Sequence, residues 1–198
     1  TATHVPLGMQ VLARGIVFID IAIAQIAGCG VLLADKLGFE AEGAAAQVAA
    51  FAAALGGALL LTWTERAWPE VQEAVIGVVY AVSSAAAVLV ADRSPHGAEH
   101  LRGMLVGSLL SVRLAELLKV AGLYALIGVF HWWARRPFFL ISTNPAEAFR
   151  RGVRVRWWDF LFYASFGVVV TSSVRIAGVL LVFSYLIVPA LAGILVGG

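Results

Sequence analysis

The sequence has little charge. Only 13% of its 198 residues are Asp, Glu, Lys or Arg, whereas a soluble domain of this size has about 25%. Apolar residues make up 61% of the chain, and its mean hydropathy is +0.92. A single water-facing globule does not carry so much apolar surface, and a disordered chain lacks it. The scarcity of charge therefore predicts a membrane protein.

Three other features are absent or weak. The single cysteine, Cys29, cannot form an internal disulfide, and its place within an apolar run is typical of a small apolar residue in a helix. The net charge of +2 is too small to indicate nucleic-acid binding. No Gly-Lys-Ser or Gly-Lys-Thr phosphate loop occurs, so any ATP hydrolysis is expected on a partner protein.

Long apolar runs divide the chain into membrane spans, each of which needs about 20 mostly apolar residues. Barrel strands would instead be short and alternating, so the runs predict helices. We expect an all-α, polytopic transmembrane bundle of about six spans plus a partial N-terminal helix, with Ser172, Ser173 and Arg175 at a tight outer turn. The predicted spans are 16–34, 43–62, 74–91, 113–134, 157–174 and 176–198.

Basic residues are concentrated in one connection, residues 135–156. Lys and Arg in short loops mark the cytoplasmic side, so this loop is expected in the cytoplasm. Alternation then places Arg14 and loop 63–73 inside, and loops 35–42 and 92–112 outside. The basic residues of the loop are Arg135, Arg136, Arg150, Arg151, Arg154 and Arg156.

Within this loop the sequence predicts a short capped helix over residues 144–152. Asn144 suits the N-cap, Pro145 the first helical position, and Glu147 the third position of a capping box. Gly152 can adopt the left-handed conformation that ends a helix. The groups expected to project from it are Phe149, Arg150 and Arg151.

Two roles remain open for this helix on physical grounds. It could be an interfacial helix that only anchors the loop. It could also be a rigid element through which a transporter receives force from a cytoplasmic motor subunit.

In order along nearly the whole chain, the sequence resembles the permease subunit of bacterial ABC importers for zinc and manganese. The family's coupling segment, Asp-Pro-Glu-x-Ala followed by Gly, is similar to 144–148 and Gly152, with departures at its first and third positions. The family signature Val-Gly-x-Leu-Leu-Val-x-x-Leu-Leu-Ile-x-Pro-Ala resembles residues 177–190. Residues 73–77 and 105–110 resemble further stretches of the family.

The resemblance implies a single permease domain over 1–198, working as a dimer in the bacterial cytoplasmic membrane. It also implies two cytoplasmic ABC ATPase subunits that contact 144–152, and an extracytoplasmic protein that delivers the metal. No tightly bound cofactor is expected, because zinc or manganese would be the transported ion. The absence of an initiator Met and the further spans typical of the family predict that 1–198 is a fragment lacking its N-terminal start and its C-terminal spans.

Asp20 lies inside an apolar span, where an acid costs about 2.5–3.5 kcal/mol on insertion scales. We expect it to face an interior path and to bind a dehydrating dication. The alternative is an acid near the cytoplasmic end that reaches water or pairs with Arg14.

In the resembling family this helix carries Gly-Asp-Ala-x-Ser-His, in which Asp20 matches the Asp. Ala24 stands at the His position, and Gln25 is the nearest polar substitute, which favours manganese over zinc because the ligands are then oxygens.

A second possible metal site follows the third span. Ser94 as cap and Pro95 as first helical residue would place His96 and His100 on one helix face, with Glu99 beside them. Two imidazoles and a carboxylate are credible ligands for an ion arriving from outside. The alternatives are solvated loop residues, or the His-x-x-Glu-His motif of a zinc protease.

The resemblance, together with the six spans, the capped helix in the basic loop and the absence of a nucleotide site, implies a membrane-spanning importer subunit for a divalent transition metal, zinc or manganese, or iron. It is not expected to be an enzyme. ATP binding by the partners would move 144–152 and alternate access to a path past Asp20. An iron chelate or cobalamin is the alternative cargo. Two alternative functions belong to other classes of protein. One is a membrane-embedded zinc hydrolase that uses His96, Glu99 and His100, and the other is a structural scaffold, which would leave Asp20 without a function.

Overall fold

The computed structural model describes residues 4–40, 43–93, 97–107 and 112–197, and within these ranges it is a bundle of α-helices without β-strands. This confirms the predicted all-α, polytopic bundle. A 3-10 turn, Pro69–Val71, precedes α4. The helices are α1 His4–Arg14, α2 Ile19–Lys36, α3 Ala44–Ala67, α4 Gln72–Ala91, α5 Gly97–Val106, α6 Leu114–Trp133, α7 Arg135–Thr143, α8 Pro145–Arg150, α9 Val155–Ala177 and α10 Val179–Gly197.

Four of these segments are long and apolar enough to cross a membrane singly: α3, the 3-10 turn with α4, α6 and α9. The pair α1 and α2 passes the same test together, although it is bent by 111°. The apolar part of α10, Val179–Gly193, is shorter. Each predicted span therefore corresponds to a helix, with shifts at the ends.

Two predicted boundaries are wrong, both because a glycine turns the chain elsewhere. The span expected from residue 16 begins at Ile19, because the chain reverses after Gly15, whose φ is +69°. The tight turn expected at Ser172, Ser173 and Arg175 lies instead at Gly178, whose φ is +76°. All three predicted turn residues are helical and belong to α9.

Helix α2 is the centre of the bundle and packs against α3, α4 and α9. Small residues allow this approach, since a Cβ added at Gly30 would lie 2.6 Å from the carbonyl oxygen of Ala49 on α3. The Cys29 thiol donates to the carbonyl of Ser83 on α4 over 3.0 Å. Helix α6 is peripheral, and Ile127 is the buried residue in its range.

Several segments meet at one end of the bundle. Arg14 at the end of α1 contacts Glu65 near the end of α3, Ser142 of α7 and Asp159 of α9. The backbone N–H of Phe18 donates to Glu73 at the start of α4. Arg14, loop 63–73 and loop 135–156 thus share one end, as the predicted alternation requires.

Candidate functional site

Asp20 is in the first turn of α2, directly after the reversal between α1 and α2. It is 1% exposed. Its Oδ1 accepts a hydrogen bond of 2.8 Å from the backbone N–H of Ile21. Its Oδ2 is buried and has no hydrogen-bond partner in the described part of the chain. A buried carboxylate oxygen without a partner is costly, and either a proton or a bound cation would stabilise it.

The alternative expected for Asp20, an acid that reaches water or pairs with Arg14, is not what the structure shows. The Arg14 Nη1 atom donates to Oδ1 of Asp159 over 2.9 Å and lies 3.8 Å from Oε1 of Glu65. Its Nε donates to Oγ of Ser142 over 3.1 Å. The guanidinium is therefore engaged by two other acids, and Asp20 faces away from bulk solvent.

Glu73, like Asp20, has one buried carboxylate oxygen without a hydrogen-bond partner in the described residues. It was not predicted as a site residue. Its Oε1 accepts from the N–H of Phe18 over 3.2 Å, while its Oε2 is buried without a hydrogen-bond partner in the described residues. The two carboxylates interact electrostatically across the start of α2 and α4. Carboxylate oxygens suit hard or borderline divalent cations. The starts of α2 and α4 therefore each present a buried carboxylate oxygen without a hydrogen-bond partner among the described residues.

Gln25, the predicted substitute for the family histidine, is buried at 6% exposure on the same helix. It follows Asp20 by five residues, which places it about 140° around the helix axis. The two side chains thus leave α2 in different directions. Ala24, at the histidine position, is buried at 1% exposure.

The predicted outer site cannot be assembled from the described residues. His96 lies outside them, as does the side chain of His100, while Glu99 is exposed in the first turn of α5. Ser94 and Pro95, the predicted start of this helix, also lie outside. Within the described ranges there is no group of three or more His, Cys, Asp or Glu side chains placed to hold a metal. The outer metal site stays a prediction.

The acid cluster around Arg14 was not predicted. The guanidinium is covered by the ring of Phe162, whose centroid is 4.4 Å from Cζ. Tyr163 is fully buried beside it, and its hydroxyl interacts electrostatically with Glu65. The only sequence signal was Asp159 near the start of an apolar span, since Glu65 falls in the predicted loop 63–73. The pairing joins residues far apart in the chain, so it could not be read from the sequence.

A second polar cluster joins α1, α6 and α9 at the other end of the bundle. His4 Nε2 lies 2.9 Å from the Ser173 hydroxyl, which also hydrogen-bonds Tyr124. The rings of His4 and Tyr124 are in edge contact at 5.5 Å. Buried polar groups of this kind fix the relative position of packed helices in an apolar bundle.

The capped helix forms as predicted over α8. Asn144 Oδ1 accepts from the backbone N–H of Glu147 over 3.0 Å, and Gly152 has φ +71°. The capping box is incomplete, however. Glu147 pairs with Arg150 and Arg151, while the N–H of Asn144 donates to the carbonyl of Leu140 over 2.9 Å.

The physical reason for the incomplete capping box lies in the preceding helix. Helix α7, Arg135–Thr143, was not predicted, and it ends directly at the cap of α8. Its last turn satisfies the N–H that Glu147 would otherwise bind. Phe149 projects from α8 with 78% of its surface exposed.

The apolar helices and the acids buried among them define a multi-pass membrane protein. The profile of the ABC 3 transport family matches residues 2–197, and the chain belongs to that family. The predicted resemblance to metal-importer permeases is thereby confirmed at the level of the family.

The chain is similar to one membrane protein in sequence and to two solved structures in fold. A membrane protein of Synechocystis sp. is 26% identical over 184 residues, which are 93% of this chain and 64% of that protein. The chain thus spans less than two thirds of this relative. The structure of PsaBC from Streptococcus pneumoniae in complex with Fab has a TM-score of 0.77 at 20% identity, over 98% of this chain and 68% of that one. An inward-facing structure of a proposed metal-chelate type ABC transporter has a TM-score of 0.70 at 20% identity, over 100% of this chain and 67% of that one.

Proposed function

We propose that this chain is the membrane-spanning subunit of an ATP-driven importer of a divalent transition metal, zinc or manganese, or iron. The observation that carries the proposal is the Asp20 carboxylate. It is buried in the first turn of a central helix, and its Oδ2 has no partner among the described residues. In a member of the ABC 3 transport family, such an oxygen is best explained by a cation that passes.

Glu73 would share the ion with Asp20, because its own Oε2 is also buried and without a hydrogen-bond partner in the described chain. Two carboxylates supply oxygen ligands and a negative field that offsets the loss of water from the ion. An oxygen set favours manganese over zinc. Gln25 could contribute only if α2 turned about its axis, since it lies on another side of this helix.

The same proposal gives α8 a role in coupling. Its cap, its exposed Phe149 and its arginines would contact a cytoplasmic ABC ATPase, which would supply the ATP hydrolysis. A second copy of the permease and an extracytoplasmic metal-binding protein would complete the importer. His96, Glu99 and His100 would assist entry of the ion.

Metal uptake in starved cells that express the full-length protein with its ATPase tests the proposal. Zinc, manganese and iron are offered separately, and the variants are Asp20→Asn and Glu73→Gln. Glu70→Gln is the matched control, because this exposed acid lies three residues before Glu73. We expect uptake of one ion to fall at least about tenfold in Asp20→Asn, since loss of even an outer hydrogen-bond partner of a ligand typically costs a metal site about tenfold. Uptake is expected to remain unchanged in Glu70→Gln.

Three outcomes would contradict the proposal in different ways. Normal uptake in both acid variants would remove Asp20 and Glu73 from the ion path. Transport of an iron chelate or cobalamin, without uptake of a free ion, would identify the alternative cargo. Hydrolysis without an ATPase, abolished by Glu99→Gln, would favour the zinc hydrolase.

A further inference from the structure

A surface groove of about 1010 Å³ lies where the end of α3 meets the start of α9. Phe149 of α8 and the segment between α8 and α9 close its third side. Its apolar wall includes Leu59, Trp63 and Phe160, and its basic residues are Arg66, Arg154 and Arg156. The groove belongs to the end of the bundle that carries loop 135–156.

The apolar wall reaches into the membrane. Leu59 precedes the end of α3 at Ala67 by eight residues, which is about 12 Å of helix. Phe160 follows the start of α9 at Val155 by five residues, about 7.5 Å. Both residues therefore lie at hydrocarbon depth when the helix ends lie at the interface. A water-soluble protein subunit does not reach this depth, whereas an acyl chain does.

The rim carries three arginines, and no Asp or Glu is among the described residues that line the groove. Neither Arg154 nor Arg156 forms an ion pair with a described residue, and both are exposed. Arg66 is also exposed and interacts only at longer range with Glu65 and Asp159. The groove thus offers positive charge at its mouth and apolar surface behind it.

Two tryptophans, Trp63 and Trp157, line the groove together with the arginines. Trp63 is 56% exposed and Trp157 is 53% exposed, although both belong to membrane-spanning helices. Tryptophan is enriched at the level of lipid headgroups, where one part of the ring is apolar and the N–H is hydrated. Their position marks the depth at which a headgroup would lie.

We propose that this groove binds an anionic phospholipid. Its phosphate would lie among Arg66, Arg154 and Arg156, and one acyl chain would follow Leu59 and Phe160. Basic pockets between spanning helices on the cytoplasmic side are suited to such headgroups. The bound lipid would connect α3 to the segment that follows α8, and so would hold α8 at a fixed distance from the membrane.

Native mass spectrometry of the full-length protein, released from detergent, tests the proposal. Phosphatidylglycerol and phosphatidylcholine with identical acyl chains are added in turn. We expect phosphatidylglycerol to bind in preference, and Arg154→Gln with Arg156→Gln to weaken that binding about tenfold or more. Arg154→Lys with Arg156→Lys keeps the charge and is expected to retain binding.

The matched control is Arg135→Gln with Arg136→Gln, which removes the same charge from the same loop outside the groove. It is expected to bind phosphatidylglycerol like the parent. Leu59→Trp fills the apolar part and is expected to weaken binding of the lipid while every arginine remains. Thermal unfolding verifies that each variant is folded.

Several results would overturn the proposal. Equal binding of the two lipids by the parent protein would do so without any variant. An equal loss of phosphatidylglycerol binding in Arg135→Gln with Arg136→Gln would show that the lipid is attracted by the general surface charge and not by a specific site. A groove covered by a second copy of the chain, with no lipid retained, would identify a protein interface.

Discussion

Arg14 Nη1 donates a hydrogen bond of 2.9 Å to Oδ1 of Asp159, and so joins the end of α1 to the first turns of α9. The two side chains are 4% and 7% exposed. The ring of Phe162 covers the guanidinium. Glu65 contributes a second acid at 3.8 Å. One cation thus holds two carboxylates from different spans, and removal of Arg14 leaves both of them without their counter-charge.

Arg14→Gln is expected to destabilise the protein by about 3–5 kcal/mol, because it leaves Asp159 and Glu65 without their counter-charge. Thermal unfolding in a mild detergent measures the change. Arg136→Gln, an exposed arginine of the same end, is the control and is expected to change stability by less than about 0.5 kcal/mol.

The double variant Arg14→Met with Asp159→Leu distinguishes charge from packing. It removes the pair together and is expected to be more stable than Arg14→Gln, since fewer buried charges are left alone. A double variant that is less stable than the single one would argue against this account of the cluster.

Asn144→Ala removes the side chain that caps α8 and is expected to destabilise this helix by about 1 kcal/mol. Asn144→Asp keeps an acceptor and is expected to behave like the parent. Hydrogen exchange of the α8 amides measures the local effect. Unchanged exchange in Asn144→Ala would show that α7, which ends at the cap, is sufficient to order α8.

Phe149→Ala is expected to lower ATP-dependent uptake at least about tenfold without a change in stability. The side chain is 78% exposed, so its truncation removes little packing inside the chain. An aromatic side chain that becomes buried against a partner contributes much of the binding energy of an interface. Phe139→Ala is the matched control, because Phe139 is 71% exposed on the neighbouring α7. An equal loss of uptake in Phe149→Ala and Phe139→Ala would indicate that these side chains contact the membrane and not a specific partner protein.

Gly30→Ala is expected to destabilise the bundle by about 1–3 kcal/mol, because the added Cβ would lie 2.6 Å from the Ala49 carbonyl oxygen. Gly56→Ala is the control, since nothing lies within 4 Å of a Cβ added there. It is expected to be neutral or slightly stabilising through its better helix propensity. A neutral result at Gly30 would mean that α2 and α3 can separate at low cost.

Local signals in the sequence were sufficient to predict the membrane spans and helix α8. Long apolar runs identify membrane helices because the hydrocarbon core sets a minimum length. The cap at Asn144 and the turn at Gly152 depend on neighbouring residues only. Helix α7 was not predicted because it is short, begins with two arginines and contains Pro137, features that locally favour a loop.

The site was harder to predict because it depends on contacts between distant residues. Asp20 could be identified from its cost in an apolar span, but its neighbour Glu73 could not. Arg14 looked like a partner for Asp20 since the two are close in sequence. The reversal after Gly15 instead directs Arg14 toward Asp159, whose position depends on the packing of α9.

The hydrogen bond from Arg14 to Ser142 has a mechanical consequence. Ser142 lies near the end of α7, two residues before the cap of α8, so any displacement of that pair must either break this bond or pull the end of α1 along. The end of α1 is separated from Asp20 by a sharp bend of 111° and a few residues. The hydrogen bond thus links the end of α7 to the bend before Asp20, so a displacement of α7 and α8 would reach the start of α2 through Arg14.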